Sequence, residues 1–577
     1  MLRVYLFAVL TLTRFASAET RTLWQVLHDY RTIIAPSNEN RQARHEVNPF
    51  ISYTNIGTDY GYIGPAVNTI GWKRSMISME FNEDLDSWGG VWHSMSRLDR
   101  MHAHRMNFHA CYPEQILPAF QPKITGIKAI IRGKGKWKID LLDHSNKLLW
   151  SETREISAAS FAEQIYELPS TGLENVKHLS WVAEQGSDID LDAIELRLTT
   201  PDVSFEEWVF LASYMKALTC WSSETGLLRD RAHIPDGAFD SISASGLFCA
   251  ATVAAASRGI VERDFAKLVC QRAFESASSL RGPYGLLPHF VKMDEGMLKR
   301  HKGTEYSTID TALFYFGLLI ATHTLDELTM HEQVLEWIKE MDFAPLINEQ
   351  GFISHGVEKD GKTIIPYYWR DWGGESALVI LLQAIAQPDL KSTMASTGSI
   401  HQGTGFIIEL QSLLFPDFAR DEADELTGVN WLTQRRAHLT KQMTHEVTSQ
   451  AKGLFGLSAG EGADGNSYHV GGTDLPEQKL LHPHYALMAA QLHEDPAVMA
   501  KILSNFEQQA AFTPWGMVEN ISLPSNEKLP MIGGLNASFE ALGAYHFLCR
   551  STGTANVVYD SSQAIPAFRQ AMKIFYR

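Results

Sequence analysis

The chain has 577 residues, 45% hydrophobic and 20% charged, an ordinary globular balance with room for two or three domains. Its net charge of −17 repels phosphate backbones and anionic lipid, so nucleic acid is excluded as a partner and a neutral, polyhydroxylated ligand fits better. Five cysteines without C-x-x-C spacing are too sparse for a disulfide scaffold, and Cys220, Cys249 and Cys270, in apolar helical patterns, are expected to be buried thiols.

Residues 1–18 read as a secretory signal: Arg3, an apolar run from Val4 to Leu12, then Ala16-Ser17-Ala18 as a small-residue cleavage site. Export to the periplasm or medium is the expectation. No later run reaches about 18 apolar residues, so no membrane span is expected. Within residues 19–49, Leu23–Ile34 is expected as a short helix, followed by a polar linker.

From about 50 to 200 the period is two. Lys136–Asp143 alternates apolar and polar residues, and Ile124–Ile131, Lys147–Trp150, Gln164–Leu168, Leu179–Val182 and Ile189–Leu198 add strand-like runs between turn residues. Many short strands predict a β-sandwich or jelly roll.

At Pro201 the period becomes 3.6, with Phe205, Trp208, Val209, Ala212 and Met215 on one helical face. Six of the following segments are apolar all round (243–258, 307–323, 374–387, 404–415, 481–491, 534–548). Six carry a charged stripe (204–220, 262–279, 326–341, 428–446, 495–509, 563–576). Helices apolar on every side belong inside and striped ones outside, so residues 201–577 predict an (α/α)6 toroid. One outer helix is missing, because 374–387 and 404–415 follow each other.

If the inner helices run one way, their starts share a mouth. Asp310, Glu375 and Glu409 lie in or near three such starts. Paired carboxyls cut glycosidic bonds, one donating a proton and the other acting as base or nucleophile. Capping and the helix dipole also favour acids there. Tyr367, Tyr368, Trp369 and Trp372 crowd the approach to Glu375, as sugar-stacking rings would. The glycine-rich stretch Gly453–Asn466 puts Glu461 and Asp464 on loop backbone. Its Gly456-Leu-Ser458-Ala-Gly460 matches a nucleophile elbow, but no strand-to-helix turn surrounds it. His93, His102, His104, His109 and His482-Pro-His484 lack metal-ligand spacing, and no phosphate loop or dinucleotide fingerprint appears. Neither metal nor cofactor is expected.

The succession Glu224–Arg231, Asp240–Gly246, Pro288–Phe290, Glu305–Leu313, Trp369–Glu375, Phe455–Ser458, His482–Ala486 and Trp515–Asn520 resembles the glycoamylase-like (α/α)6 family, over about residues 205–550. That family includes bacterial endo-β-1,2-glucanases and the transglycosylating domain of cyclic β-1,2-glucan synthases. The resemblance implies endo-type action on a β-glucan, best matched by β-1,2 linkages, with the acids falling on Asp310 and Glu375 and Glu461 as a further partner. Arg229, Arg231, His289 and Trp372 are then expected to orient hydroxyls and stack on rings. Glu305, Tyr368, Trp369 and Glu409 belong to the same expected substrate-binding set, as do His482, Tyr485 and Trp515. The resemblance leaves the β-module as either a carbohydrate-binding jelly roll or a brace on the barrel. A monomer or weak homo-oligomer taking a polysaccharide or oligosaccharide is the expected state. A non-catalytic glycan-binding protein and a polysaccharide lyase are the rival readings.

Overall fold

The computed structural model describes residues 20–29, 51–52, 72–73, 76–80, 104–109 and 113–577, apart from 144, 146, 174–175, 184–187, 232–238, 396–400, 464–466, 524 and 530. The signal sequence, His93, His102, Cys111 and Asp464 lie outside these residues.

The alternating runs do form strands. β1 (Thr22–Asp29), β2 (Ile51–Ser52), β3 (Trp72–Lys73), β4 (Met76–Glu80), β5 (His104–His109), β6 (Lys123–Asp143), β7 (Leu148–Glu167), β8 (Val176–Ala183) and β9 (Asp188–Thr199) pair in one antiparallel network. The long hairpin β6–β7 is its spine. β6 pairs with β7 along most of its length, while its first part also pairs with β9 and its last part with β8. Ile127, Ile131, Trp137, Ile139 and Leu141 bury one face, as period two requires. Hydrogen bonding is continuous through all nine strands, so separate jelly-roll sheets do not follow from this pairing.

The first correction falls at the start of the chain. Leu23–Asp29, the described part of the Leu23–Ile34 segment expected as helix, lies in the strand Thr22–Asp29, antiparallel to β9 with Leu23 opposite Leu198. Thr22, Trp24 and Val26 alternate in a run short enough to read either way, and a partner some 170 residues later decided it.

Fourteen α-helices follow among the described residues: α1 (Phe205–Thr219), α2 (Ile242–Ser257), α3 (Arg263–Leu280), α4 (Thr308–Thr324), α5 (Leu328–Lys339), α6 (Gly374–Ala386), α7 (Gly405–Glu409), α8 (Trp431–Thr444), α9 (Glu446–Gln450), α10 (His484–Met488), α11 (Pro496–Gln508), α12 (Gly534–Thr552), α13 (Val557–Ala564) and α14 (Pro566–Met572). α2, α4, α6 and α12 are buried along nearly their whole length, as expected of inner helices. α7 and α10 are single turns that tighten into 3₁₀ turns at Leu410–Leu413 and Ala490–Leu492. Between α6 and α7 the described residues form a 3₁₀ turn at His401–Gly403 and no outer α-helix.

α1 departs from its expected outer position, because Trp208 through Leu218 are all buried. Its Lys216 is inside, 2.6 Å from Glu540 on α12 and 2.7 Å from the Met517 carbonyl oxygen that accepts from it. A charge buried this way is tolerated because it is paired and hydrogen-bonded. The β-region reaches the barrel nearby: Arg21 lies over the rings of Phe205 and Trp208 and bonds Glu507 at 2.5 Å, and Leu117 N–H donates to the Ile260 carbonyl at 2.9 Å. One hydrophobic core runs through both regions.

α2 and α4 cross in near backbone contact. A Cβ on Gly317 would sit 1.9 Å from the Gly246 carbonyl oxygen, and one on Gly246 would sit 2.2 Å from Phe314 Cα. Alanine raises helix propensity by about 1 kcal/mol over glycine, but here it must push two helices apart. Gly317→Ala is therefore expected to destabilise the protein, read as a lower urea midpoint by far-ultraviolet circular dichroism.

Candidate active site

The starts of the inner helices do meet. Ser243 on α2, Asp310 on α4, Glu375 on α6, Phe406 on α7 and Asn536 on α12 all line one cavity of about 580 Å³. Each start exposes unpaired backbone N–H groups and the positive end of a helix dipole, which favours carboxylates there. A small antiparallel sheet orders one wall. Leu287–Pro288 pairs with Tyr306–Ser307, which pairs with Gly356–Val357, so His289 comes opposite Glu305 beyond one end and His355 opposite Thr308 beyond the other, and His289, Glu305 and His355 all line the cavity. Ser307 then caps α4, its Oγ accepting from the Asp310 N–H at 3.3 Å.

Glu375 follows Gly373-Gly374 at the start of α6. A side chain on Gly374 would meet Gln411 Oε1 at 2.4 Å and the Ile407 carbonyl at 2.5 Å, so glycine lets α6 lie against α7. The Glu375 carboxyl has no hydrogen-bond or ion-pair partner among the described residues. Burial, then the negative charges of Asp310 and Asp371, push its pKa up to about 7. Trp369 stands beside it, donating its indole N–H to Thr308 Oγ1 at 2.8 Å, with the His355 ring stacked on it at 3.9 Å. A second cavity of about 510 Å³ shares Trp369, Glu375 and Tyr468 and continues past Tyr368, Arg370 and Thr404. Glu375 thus stands where two parts of one cleft meet.

A second acidic group lines the same cavity. Arg231 Nη2 lies 2.9 Å from Glu461 Oε2, and its Nε 3.4 Å from Asp230 Oδ2. Glu519 accepts from the Glu461 N–H at 3.2 Å and from Asn536 Nδ2 at 2.6 Å. Burial pushes the Glu461 carboxyl up to about 8; Arg231 opposes this, while Glu519 and Asp230 add to it. Glu461 sits on a strand, Ala459–Glu461, paired with Tyr468–Val470, rather than on loop backbone. Tyr468 is exposed and lines the cleft.

Of the residues expected at the site, Asp310, Glu375, Glu461, Arg231, His289, Glu305 and Trp369 line the main cavity, and Tyr368 the adjoining one. The others lie elsewhere. Arg229 is exposed, because its short strand buries Leu228 and turns the next side chain out. Trp372 is buried and stacked on Trp431 at 4.2 Å. Glu409 is the fifth residue of α7, a turn deeper than the mouth, and is fully buried with Arg435 Nε at 2.9 Å. Tyr485 is buried under Gly405, edge-on to Phe455. Trp515 is buried beside the turn joining Phe512–Thr513 to Gly516–Met517.

His482 lies behind Gly460, where its Nδ1 would be 2.6 Å from an added Cβ, and burial pulls its pKa down to about 3. Burial likewise pulls His484 down, and its Nε2 lies 3.2 Å from Ser458 Oγ, which also accepts from the Phe406 N–H. Ser458 is fully enclosed, so the elbow-like motif presents no reachable nucleophile. Asn520 donates to the Glu461 and Gly462 carbonyls, so Asn520 and Asn536 are both engaged at the site.

Asp230, Glu519, His355, Asn536 and Tyr468 were not among the expected site residues. Asp230 and Glu519 lie inside quoted blocks, next to Arg231 and Asn520, and an inspection of every acid in those blocks would have found them. Nothing in the sequence distinguishes Tyr468.

Among solved structures, the β-1,2-glucanase of Parabacteroides distasonis is similar with a TM-score of 0.55 at 12% identity, over 82% of this chain and 90% of that one. The endo-β-1,2-glucanase of Chitinophaga pinensis, solved with sophorotriose and glucose, is similar with a TM-score of 0.53 at 12% identity, over 64% of this chain and 98% of that one. This chain shares the fold of these glucanases. The first likeness covers more of the chain than the barrel alone, so it takes in part of the β-region. No family model and no curated protein matches the chain.

The enclosed Glu409–Arg435 pair gives a structural test. Arg435→Met leaves a carboxyl buried without its cation, which costs about 3–5 kcal/mol for such pairs. Urea denaturation should show that loss, while KM for any substrate stays at the wild-type value below the transition.

Proposed function

We propose that the protein is an exported glycoside hydrolase that cleaves a β-glucan, best matched by β-1,2 linkages, within the chain. The observation that carries this reading is the Glu375 carboxyl: unpaired, protonated up to about pH 7, and set in a cleft that continues on both sides of it. A group of that kind is a general acid for the leaving glycosidic oxygen. Asp310, with the His289 ring 3.8 Å away, is the second carboxyl, acting as base or nucleophile. Glu461, held protonated to about pH 8, is a poor base and orients substrate with Arg231 and Glu519. Trp369 and Tyr468 offer aromatic faces for sugar C–H groups. The open cleft supports endo action, and the glucanase fold supports the substrate class. The β-region acts as a brace, a role favoured by its shared core and the Arg21–Glu507 contact.

Glu375→Gln should lower kcat at least a hundredfold, since acid catalysis contributes about 10² to 10⁴. Its fold should persist, and its melting temperature at pH 8 should exceed that of the wild type. The sign follows from linkage: the folded pKa is raised, so the ionised carboxyl weakens the wild type progressively between its unfolded value of 4.5 and about 7, and the amide never ionises. Wild-type kcat should fall on the alkaline side with a midpoint near pH 7. Incubation with linkage-defined glucans, followed by reducing-end release, tests the substrate: β-1,2-glucan is expected to be cut to mixed short oligosaccharides. Near-normal turnover in Glu375→Gln would remove that residue from the mechanism.

A further inference from the structure

His289 is held between carboxylates that come from different elements. Its Nδ1 lies 2.8 Å from Glu305 Oε1, and its Nε2 lies 3.8 Å from Asp310 Oδ1 on α4. A neutral imidazole has one N–H and one bare lone pair, so it attracts a carboxylate on one side only and repels one on the other. Carboxylates at both nitrogens are the surroundings of an imidazolium. The ring is also fixed in place. The His289 N–H donates to the Glu305 carbonyl at 3.0 Å, its own carbonyl accepts from the Ile242 N–H at 3.2 Å, and its ring stacks on Phe290 at 3.8 Å.

The charges around it all point the same way. Burial works against a charged ring, but Asp310, Glu305 and Asp230 outweigh it and hold the pKa up to about 9. Arg231, the neighbouring cation, faces Asp230 and Glu461 rather than Glu305 or Asp310. The hydrogen bond from His289 in turn holds the Glu305 carboxyl below its usual range.

We propose that His289 is a positioning residue: clamped as an imidazolium between Glu305 and Asp310, it supplies the positive charge that faces the Asp310 carboxylate across the cleft from Glu375. The assignment rests on the glycosidase reading of the cleft. Without this cation, Glu305, Asp310 and Asp230 crowd one wall with Arg231 as the nearest positive group, and like charges raise each other's pKa. That crowding disfavours the carboxylate form, the form a base or nucleophile needs. The imidazolium itself transfers nothing.

Two measurements on the whole protein test this. Histidine-selective ¹³C labelling, with the His289 signal identified by its loss in His289→Gln, should give a titration midpoint above 8 that falls in Asp310→Asn and in Glu305→Gln. A midpoint at or below 6.5, or one unmoved by both carboxyl changes, overturns the proposal. In kcat/KM–pH profiles, His289→Gln should move both limbs up by about one unit, the lower end of what one nearby charge does. His289→Lys, which keeps the charge, should hold the limbs near wild type whatever its kcat. Unmoved limbs in His289→Gln, or equal shifts in the two variants, would show a merely structural histidine. A wild-type protein that releases no sugar from any glucan sinks the glycosidase reading, and the labelled-histidine midpoint still judges the charge state on its own.

Discussion

Six carboxyl groups line one cavity: Asp230, Glu305, Asp310, Glu375, Glu461 and Glu519. Arg231 and the imidazolium of His289 are the cations among its lining residues. So many acids in a half-enclosed space cannot all ionise, because each negative charge raises the cost of the next. The protons therefore sort themselves by surroundings. Glu305 has its cation at 2.8 Å and gives its proton up, while Glu375 has no hydrogen-bond or ion-pair partner among the described residues and keeps its proton to about pH 7. Two acids with opposite protonation across one cleft are what glycosidic cleavage needs.

The barrel makes this crowding possible. No single segment carries the group; the acids come from α4, α6, the hairpin strand Ala459–Glu461 and three further connections between helices. Holding them together takes a rigid frame, and the core shows how it is built. α2 and α4 meet backbone to backbone at Gly246 and Gly317, and α6 lies on α7 through Gly374. Buried pairs such as Lys216–Glu540 and Arg435–Glu409 hold charges inside the packing, away from the mouth. Charge is neutralised in the frame and left unbalanced in the cleft.

The acids near helix starts show how far local pattern reaches. Asp310 and Glu375 sit in the first turns of helices that are apolar on every side, and both face the mouth. Glu409 has the same local pattern but lies one turn deeper, on a helix of five residues, and faces Arg435 instead. The aromatic cluster divides in the same way: Trp369 reaches the cleft, while Trp372, three residues on, stacks against Trp431 in the core. In each case the residue type was right for a sugar site, and helix length or packing partner chose its direction.

Hydrophobic periodicity along the chain is a local property, and it was enough to divide strands from helices at Pro201, to sort most inner helices from outer ones, and to bring Asp310 and Glu375 to the same end of the barrel. Direction, pairing and proton count are not local. Thr22–Asp29 became a strand because β9 lay beside it, α1 could lie inside because Glu540 and the Met517 carbonyl met its lysine, and Asp230, Glu519 and Tyr468 joined the cleft through connections that carry no repeating pattern. The protonation of Glu375 and the charge on His289 depend on distances between residues far apart in the chain, and those distances exist only once the barrel has closed.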